Sequence, residues 1–289
     1  MKQHPFLAIS TGPLPRMIGK KYYDFEVTLN VMSELDREDV VDGFEFQYLA
    51  EWNSIHPPLD DPTDKRFDAW KLSPKYTINQ ITSRLEDYNF PILSLHTNRD
   101  IGKLLCSSIK DQIDEGILLC HQSFDIAEKI RARQCVFHIW DPLSPKFDLN
   151  FLQQTLHSIA NQYPTIKPTV ENIPTSIPNF TPIRLLKEFE WITLDLRWAA
   201  MYNELMNFKE LKNHITNIHL RGEIINKSWT LPQASFTFEE ALEIIINHWQ
   251  YSGLFTLEPD GDLRYSNWQN FKAAVSSLKN KEIRKIEVN

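Results

Sequence analysis

Three observations predict an α/β fold with a single (β/α)8, or TIM, barrel. Eight short apolar runs of strand length begin near residues 6, 43, 91, 134, 168, 191, 215 and 254. From residue 134 onward, helix-periodic segments alternate with these runs, the pattern of a parallel sheet. Eight such units in 289 residues match the usual size of this barrel. No break in composition and no linker divides the chain, so residues 1–289 read as one domain.

The elements follow in order. Phe6-Leu7-Ala8-Ile9-Ser10 reads as the first strand. Phe25, Val27, Leu29 and Val31 alternate with period two, which suggests a strand where an alternating unit wants a helix; residues 20–40 are therefore assigned neither way. Asp42–Gln47 is the second strand, followed by a polar, proline-bearing stretch from about Ser54 to Pro74, long enough for a lid or a subunit contact. Ile78, Ile81, Leu85 and Tyr88 mark a helix, and Pro91–His96 the third strand. A long helix carries Ile113, Ile117, Cys120, Phe124 and Ala127. Gln134–Trp140 is a continuous apolar run, as a buried parallel strand should be.

Leu149, Leu152, Leu156 and Ile159 then recur at helical spacing behind Asp148 as cap. The strand ending in Glu171 leads to a helix over Pro182–Phe189 capped by Thr181. The strand ending in Asp195 leads to a helix over Phe208–His214, and the strand through His219 comes next. Thr237-Phe238-Glu239-Glu240 has the form of a capping box. Leu242, Ile245, Ile246 and Trp249 continue that helix, which Gly253 is expected to end. The strand ending in Glu258 and a helix over Ser266–Leu278 complete the pattern.

Composition excludes several classes. Eight glycines and no GxGxxG or GxxxxGK[ST] argue against a glycine-rich phosphate loop. A net charge of −7 lacks the basic footprint that sequence-independent nucleic-acid binding requires. Cys106, Cys120 and Cys135 form no CxxC or zinc-ribbon spacing. No stretch is apolar enough for a signal peptide or a membrane span, so a soluble, cytoplasmic protein is expected.

The chemistry concentrates where strands end. Glu171, Asp195 and Glu258 each close an apolar run, and His219 sits late in another. Glu171, Asp195 and His219 follow at equal intervals, each long enough for one strand, one helix and two loops. Strand C-termini are where such barrels keep their reactive groups. Three carboxylates and an imidazole suit one divalent cation, with Mn²⁺, Mg²⁺, Co²⁺ and Zn²⁺ all tolerated. His96 and His138 end the third and fourth strands, and Arg221 follows His219 by two residues. Arg221 reads as an ion-pair partner or as a planar clamp for a substrate hydroxyl, carboxylate or phosphate. Trp140 and Trp198 are candidate apolar walls beside these groups.

This series of strand-end groups resembles the xylose isomerase-like TIM-barrel superfamily, which includes sugar isomerases, ketose 3-epimerases, inosose-processing enzymes and endonuclease IV-type apurinic endonucleases. The resemblance implies that Glu171, Asp195, His219 and Glu258 hold a single metal. It also implies that Glu171 and Glu258 serve as the proton-transferring pair, and that His96 and His138 bind substrate hydroxyls or an extra metal. A small sugar or polyol substrate and a homo-oligomer follow from the same likeness. The chain departs from the endonuclease subgroup, which uses three zinc ions: the Asp-x-x-His after strand six reads Asp195-Leu196-Arg197-Trp198, and no Asp-x-His lies between Arg221 and Trp229. The leading expectation is a metal-dependent isomerase or epimerase acting through an enediolate. An inosose dehydratase-type lyase, an endonuclease IV-like phosphodiester hydrolase and a non-catalytic ligand-binding barrel are the alternatives.

Overall fold

The computed structural model describes residues 5–20, 24–49, 52–55, 65–225, 228–231, 235–260, 263 and 267–283. Its strands are β1 (Phe6–Ser10), β2 (Gly43–Gln47), β3 (Ile92–His96), β4 (Gln134–Phe137), β5 (Lys167–Glu171), β6 (Trp191–Asp195), β7 (Ile215–Ile225), β8 (Ser228–Thr230) and β9 (Leu254–Pro259). The helices are α1 (Leu14–Met17), α2 (Phe25–Arg37), α3 (Lys65–Leu72), α4 (Ile78–Tyr88), α5 (Asp100–Leu105), α6 (Lys110–Lys129), α7 (Leu149–Ala160), α8 (Pro182–Leu186), α9 (Leu196–Met201), α10 (Phe238–Leu242) and α11 (Trp268–Ser277).

Strands β1 to β7 pair in sequence order, all parallel, and β9 pairs with both β7 and β1. That last pairing closes an eight-stranded barrel, the fold expected from the eight apolar runs. All eight begin within a few residues of their predicted starts. The ninth strand, β8, pairs antiparallel with the far end of β7 and so lies outside the barrel. No helix among the described residues is long and apolar enough to cross a membrane.

Residues 20–40, undecided from sequence, contain α2. The Asp24 carboxylate accepts the Val27 N–H and caps the helix. Phe25, Thr28, Leu29, Val31, Met32 and Leu35 form the buried stripe, a helical spacing in which the period-two set is partly embedded. The helix predicted over Phe208–His214 is displaced. Chain leaving β6 enters α9 at once, because Asp195 caps it, and Leu205–Leu211 is a 3₁₀ turn that buries Leu205 and Phe208. The helix beginning at Phe238 winds as a π-helix over Glu243–His248 and ends at Trp249, before Gly253, with Gln250 at positive φ. The loop predicted over 54–74 contains α3; its His56 lies outside the described residues.

Alternation along each strand sends one set of side chains to the helices and the other to the barrel axis. Phe44 and Phe46 of β2 face outward, Phe46 meeting Phe25 and Trp52 at ring centroid distances of 6.1 and 5.5 Å. Glu45 between them points inward and accepts a hydrogen bond from Asn217 on β7. Such interiors are usually filled by branched apolar residues. This one is polar: Thr169 bonds Thr193 at 2.6 Å, and Thr256 donates to Asn217 at 2.9 Å. Buried polar groups are costly unless partnered, so a polar barrel axis points to a site.

Candidate metal centre

Seven ionisable side chains converge in the upper half of the barrel: Glu45, His96, His138, Glu171, Asp195, His219 and Glu258. Subsets of them bring ligand atoms within 4.8 Å of one another, namely Glu45/His96/His219/Glu258, His96/His138/Glu171 and Glu171/Asp195/His219. His219 stands at the middle. Its Nδ1 is 3.4 Å from Glu171 Oε2 and 3.4 Å from Glu258 Oε1, and its Nε2 is 3.2 Å from Glu45. Strand pairing causes this convergence: Asp195 is in register with His219, and Arg221 with Glu258.

Each carboxylate is held differently. Asp195 uses Oδ1 to accept the N–H groups of Arg197 and Trp198 at the start of α9, which fixes its rotamer and leaves Oδ2 aimed at the centre. Its backbone is clamped by Asn172, whose Oδ1 accepts the Asp195 N–H at 2.6 Å and whose Nδ2 donates to the Asp195 carbonyl at 3.0 Å. Glu171 Oε2 lies 3.0 Å from His138 Nε2 and 3.4 Å from His96 Nε2. Glu258 pairs with Arg221 at 3.2 Å. Arg221 also reaches Asp195 at 3.7 Å and Asp260 at 3.8 Å, and lies over the Trp198 ring at 5.3 Å.

Burial pushes the Asp195 carboxyl up to about 7, with Arg221 working against it. Burial would also raise Glu171, but the imidazoles of His138 and His219 outweigh it and hold Glu171 well below the usual carboxylate range. Burial alone would lower His219; Glu45, Glu258 and Glu171 instead hold it well above the ordinary imidazole value. His138, the most open of the imidazoles, is lowered by burial.

The residues fit a divalent cation. Asp195 Oδ2 and His219 Nδ1 are buried and lack any hydrogen bond, while Glu45 Oε1 and Glu258 Oε2, also without one, lie 3.2 Å from His219 Nε2 and Arg221. Orphaned acceptors of this kind require an explanation. Carboxylates and imidazoles gathered within 4.8 Å of one another are the donor chemistry of Mg²⁺, Mn²⁺, Co²⁺ or Zn²⁺.

Of the four expected metal residues, Glu171, Asp195 and His219 bring ligand atoms within 4.8 Å of one another, whereas Glu258 groups with Glu45, His96 and His219; His96 and His138 flank Glu171, and Arg221 pairs with Glu258. The two tryptophans differ. Trp198 is half-buried under Arg221. Trp140 is fully buried, donates its Nε1–H to the Pro174 carbonyl and stacks on Phe147, so it backs the wall and presents no open face. Sequence reasoning missed Glu45 and Asn172. Glu45 sits in mid-strand, outside a search confined to strand ends, although the alternation Phe44-Glu45-Phe46 marks it as facing away from the helices.

No protein-family model and no curated protein matches the chain. Solved structures do match in fold. A D-allulose 3-epimerase from Methylomonas sp., determined in complex with D-allulose, superposes with a TM-score of 0.65 at 12% identity, covering 98% of both chains. The 3-keto-D-glucoside 4-epimerase of E. coli gives 0.58 at 11% identity over 96% of this chain and 99% of that one. A sugar phosphate isomerase/epimerase from Parabacteroides distasonis gives 0.60 at 12% identity over 96% and 97%. This chain therefore shares its barrel fold with these sugar epimerases and isomerases across nearly its whole length.

Proposed function

We propose that the protein is a divalent-metal-dependent sugar or polyol epimerase or isomerase that works by proton transfer next to a carbonyl. One observation carries this reading: Glu171 and Glu258 each approach His219 Nδ1 to 3.4 Å, inside a buried cluster in which that nitrogen and Asp195 Oδ2 lack hydrogen bonds. Glu171, Asp195, His219 and Glu258 hold the ion, which when bound polarises a ketone and its neighbouring hydroxyl and lowers the cost of an enediolate. One of the two glutamates removes the proton from the carbon beside the carbonyl, and the other returns a proton to the opposite face or the adjacent carbon. The imidazoles of His138 and His219 hold Glu171 as the anion that a base must be. Arg221, paired with Glu258 and more loosely with Asp195 and Asp260, is the cation beside these acids that a substrate oxygen would meet. The substrate class matches that of the structural neighbours, whose names specify ketose and keto-sugar epimerases.

The test is hydrogen exchange in D2O, followed by NMR, on a panel of free and phosphorylated ketoses with Mn²⁺, Co²⁺, Mg²⁺ or Zn²⁺. Deuterium should enter at the carbon beside the carbonyl, and Glu258→Gln should abolish the exchange while leaving the fold intact. An undiminished rate in that variant refutes the assignment. Loss of water from the product would identify a dehydratase.

A second reading has an observation of its own. His96, His138 and Glu171 alone are close enough to hold another ion, with Glu171 shared, and paired metals suit phosphodiester hydrolysis. Metal content decides: one ion per chain favours the epimerase, and two favour the hydrolase.

A further inference from the structure

Glu45 is a fully buried carboxylate at the centre of β2, and the proton-transfer chemistry does not use it. Its surroundings account for its presence. Thr256 Oγ1 donates to Asn217 Oδ1 at 2.9 Å, which turns the Asn217 amide so that Nδ2 faces Glu45. That Nδ2 donates to Glu45 Oε2, also at 2.9 Å. The Nε2 of His219 lies 3.2 Å from Oε2 and 3.2 Å from Oε1 of the same carboxylate. Asn217 Nδ2 also lies 3.1 Å from this ring nitrogen, but it makes its shorter bond to Glu45 Oε2; facing both oxygens of one carboxylate, Nε2 is the nitrogen that carries a proton, because a bare lone pair there would be repelled. With Nε2 protonated, a neutral His219 has its free lone pair on Nδ1. That atom has no hydrogen bond and faces Glu171 and Glu258.

We infer that Glu45 is a positioning residue: it takes the Nε2–H of His219, fixes the ring's tautomer and orientation, and presents Nδ1 as the metal-ligating nitrogen. The inference rests on the single-metal reading above. It departs from the simplest view of the cluster, in which Glu45 is itself a ligand. A carboxylate behind a metal-bound imidazole raises its basicity and holds its plane. Here the carboxylate comes from β2, across the barrel from β7, and is itself held through Asn217 and Thr256 on β7 and β9.

The experiment measures Mn²⁺ affinity and stoichiometry by titration, and the Co²⁺ absorption spectrum at saturation, on the full chain and two variants. Glu45→Gln keeps a neutral acceptor and should weaken Mn²⁺ binding about tenfold. Glu45→Leu removes the acceptor and should weaken it about a hundredfold, the upper end for such outer partners. In both, the ion count per chain and the Co²⁺ spectrum at saturation should match wild type, since the ligands are unchanged. Unchanged affinity in both variants overturns the inference, and so does a lost ion or a changed Co²⁺ spectrum, which would make Glu45 a ligand. Should the leucine variant fail to fold, ¹⁵N-histidine spectra of Zn²⁺-loaded wild type remain decisive, with His219→Gln identifying the signal. A proton on Nε2 and the metal on Nδ1 supports the assignment, and the reverse overturns it. These readouts need no substrate, so a protein that binds metal through this arrangement yet turns over no sugar would refute the proposed function alone.

Discussion

Asn172→Ala tests how the barrel positions its acids without touching a proposed ligand. Asn172 is fully buried, one residue beyond Glu171, and its amide makes both hydrogen bonds to the backbone of Asp195. Truncation removes two buried bonds; it strands the Asp195 N–H and leaves the Asp195 carbonyl with only the first bond of α9. At about 1–3 kcal/mol for the buried group left unpaired, plus the net value of the second bond, the loss should be about 2–4 kcal/mol. For a domain of this size that corresponds to a fall in Tm of ~4–8 °C. A second effect should accompany it. Asp195 Oδ2 is aimed at the centre from a backbone that Asn172 holds, so Mn²⁺ affinity should fall even in variant protein that is fully folded. Urea denaturation and Mn²⁺ titration at a temperature well below the transition measure the two separately. A variant that melts within ~1 °C of wild type and binds Mn²⁺ with unchanged affinity would refute the argument that this clamp builds the site.

Three further outcomes follow. In the metal-free protein Asp195 is raised to about 7 and His219 well above its usual value, so both must lose protons to bind an ion; apparent Mn²⁺ affinity should rise from pH 6 to pH 8, and flat affinity over that range would refute it. The same Asp195 shift, from 3.8 to about 7, means that the folded metal-free chain keeps a proton the unfolded chain releases. Its stabilising contribution is full below about 4 and is lost as pH rises through about 7, so saturating Mn²⁺ should raise Tm more at pH 8 than at pH 6, as thermal melts would reveal. Gly102→Ala would place a methyl 2.4 Å from the Trp140 carbonyl and 2.6 Å from that of His138. Backbone cannot yield as a flexible side chain can, so the variant should lose about 1–3 kcal/mol in denaturant titration and displace His138.

Much of the barrel is legible in the sequence because its strands bury their outer faces under helices and so appear as apolar runs. The missed helix α2 has a physical cause. Its buried stripe includes Phe25, Leu29 and Val31, which also fit period two, and only the Asp24 cap and the partners Thr28, Met32 and Leu35 separate the two patterns. The short helix α9 escaped because Asp195 has two roles: the residue that closes the strand also caps the helix, with no loop between. The site is legible in a form that strand-end reasoning only half uses. Polar side chains recur two apart in six strands: Glu45/Gln47, Ser94/His96, Thr169/Glu171, Thr193/Asp195, Asn217/His219 and Thr256/Glu258. Read as inward faces, these pairs contain Glu45 and Asn217 as well as the four metal candidates. His138 and Asn172 lie just beyond their strands, so their contacts depend on how the chain turns there.

The energetics of this interior bear on why it exists. Glu45, Glu171, Asp195 and Glu258 are four carboxylates buried within one barrel, faced by Arg221 and three imidazoles. Apolar residues of similar volume would be at least as stable there, because desolvating charges costs several kcal/mol per ion even when they are paired. Stability therefore does not explain the arrangement. A divalent ion would, since an ion that binds only the folded chain draws the equilibrium toward it in proportion to RT ln(1 + [L]/Kd). Asp195 Oδ2 and His219 Nδ1, both buried without a hydrogen bond, are where the proposed ion would take its ligands. It follows that neutralising one acid should stabilise the metal-free chain while weakening its metal binding. Asp195→Asn is the sharpest case, for its side-chain oxygen can still cap α9 while the buried charge is gone. If that variant is instead less stable without metal than wild type at pH 8, the carboxylates support the fold and the argument from cost fails.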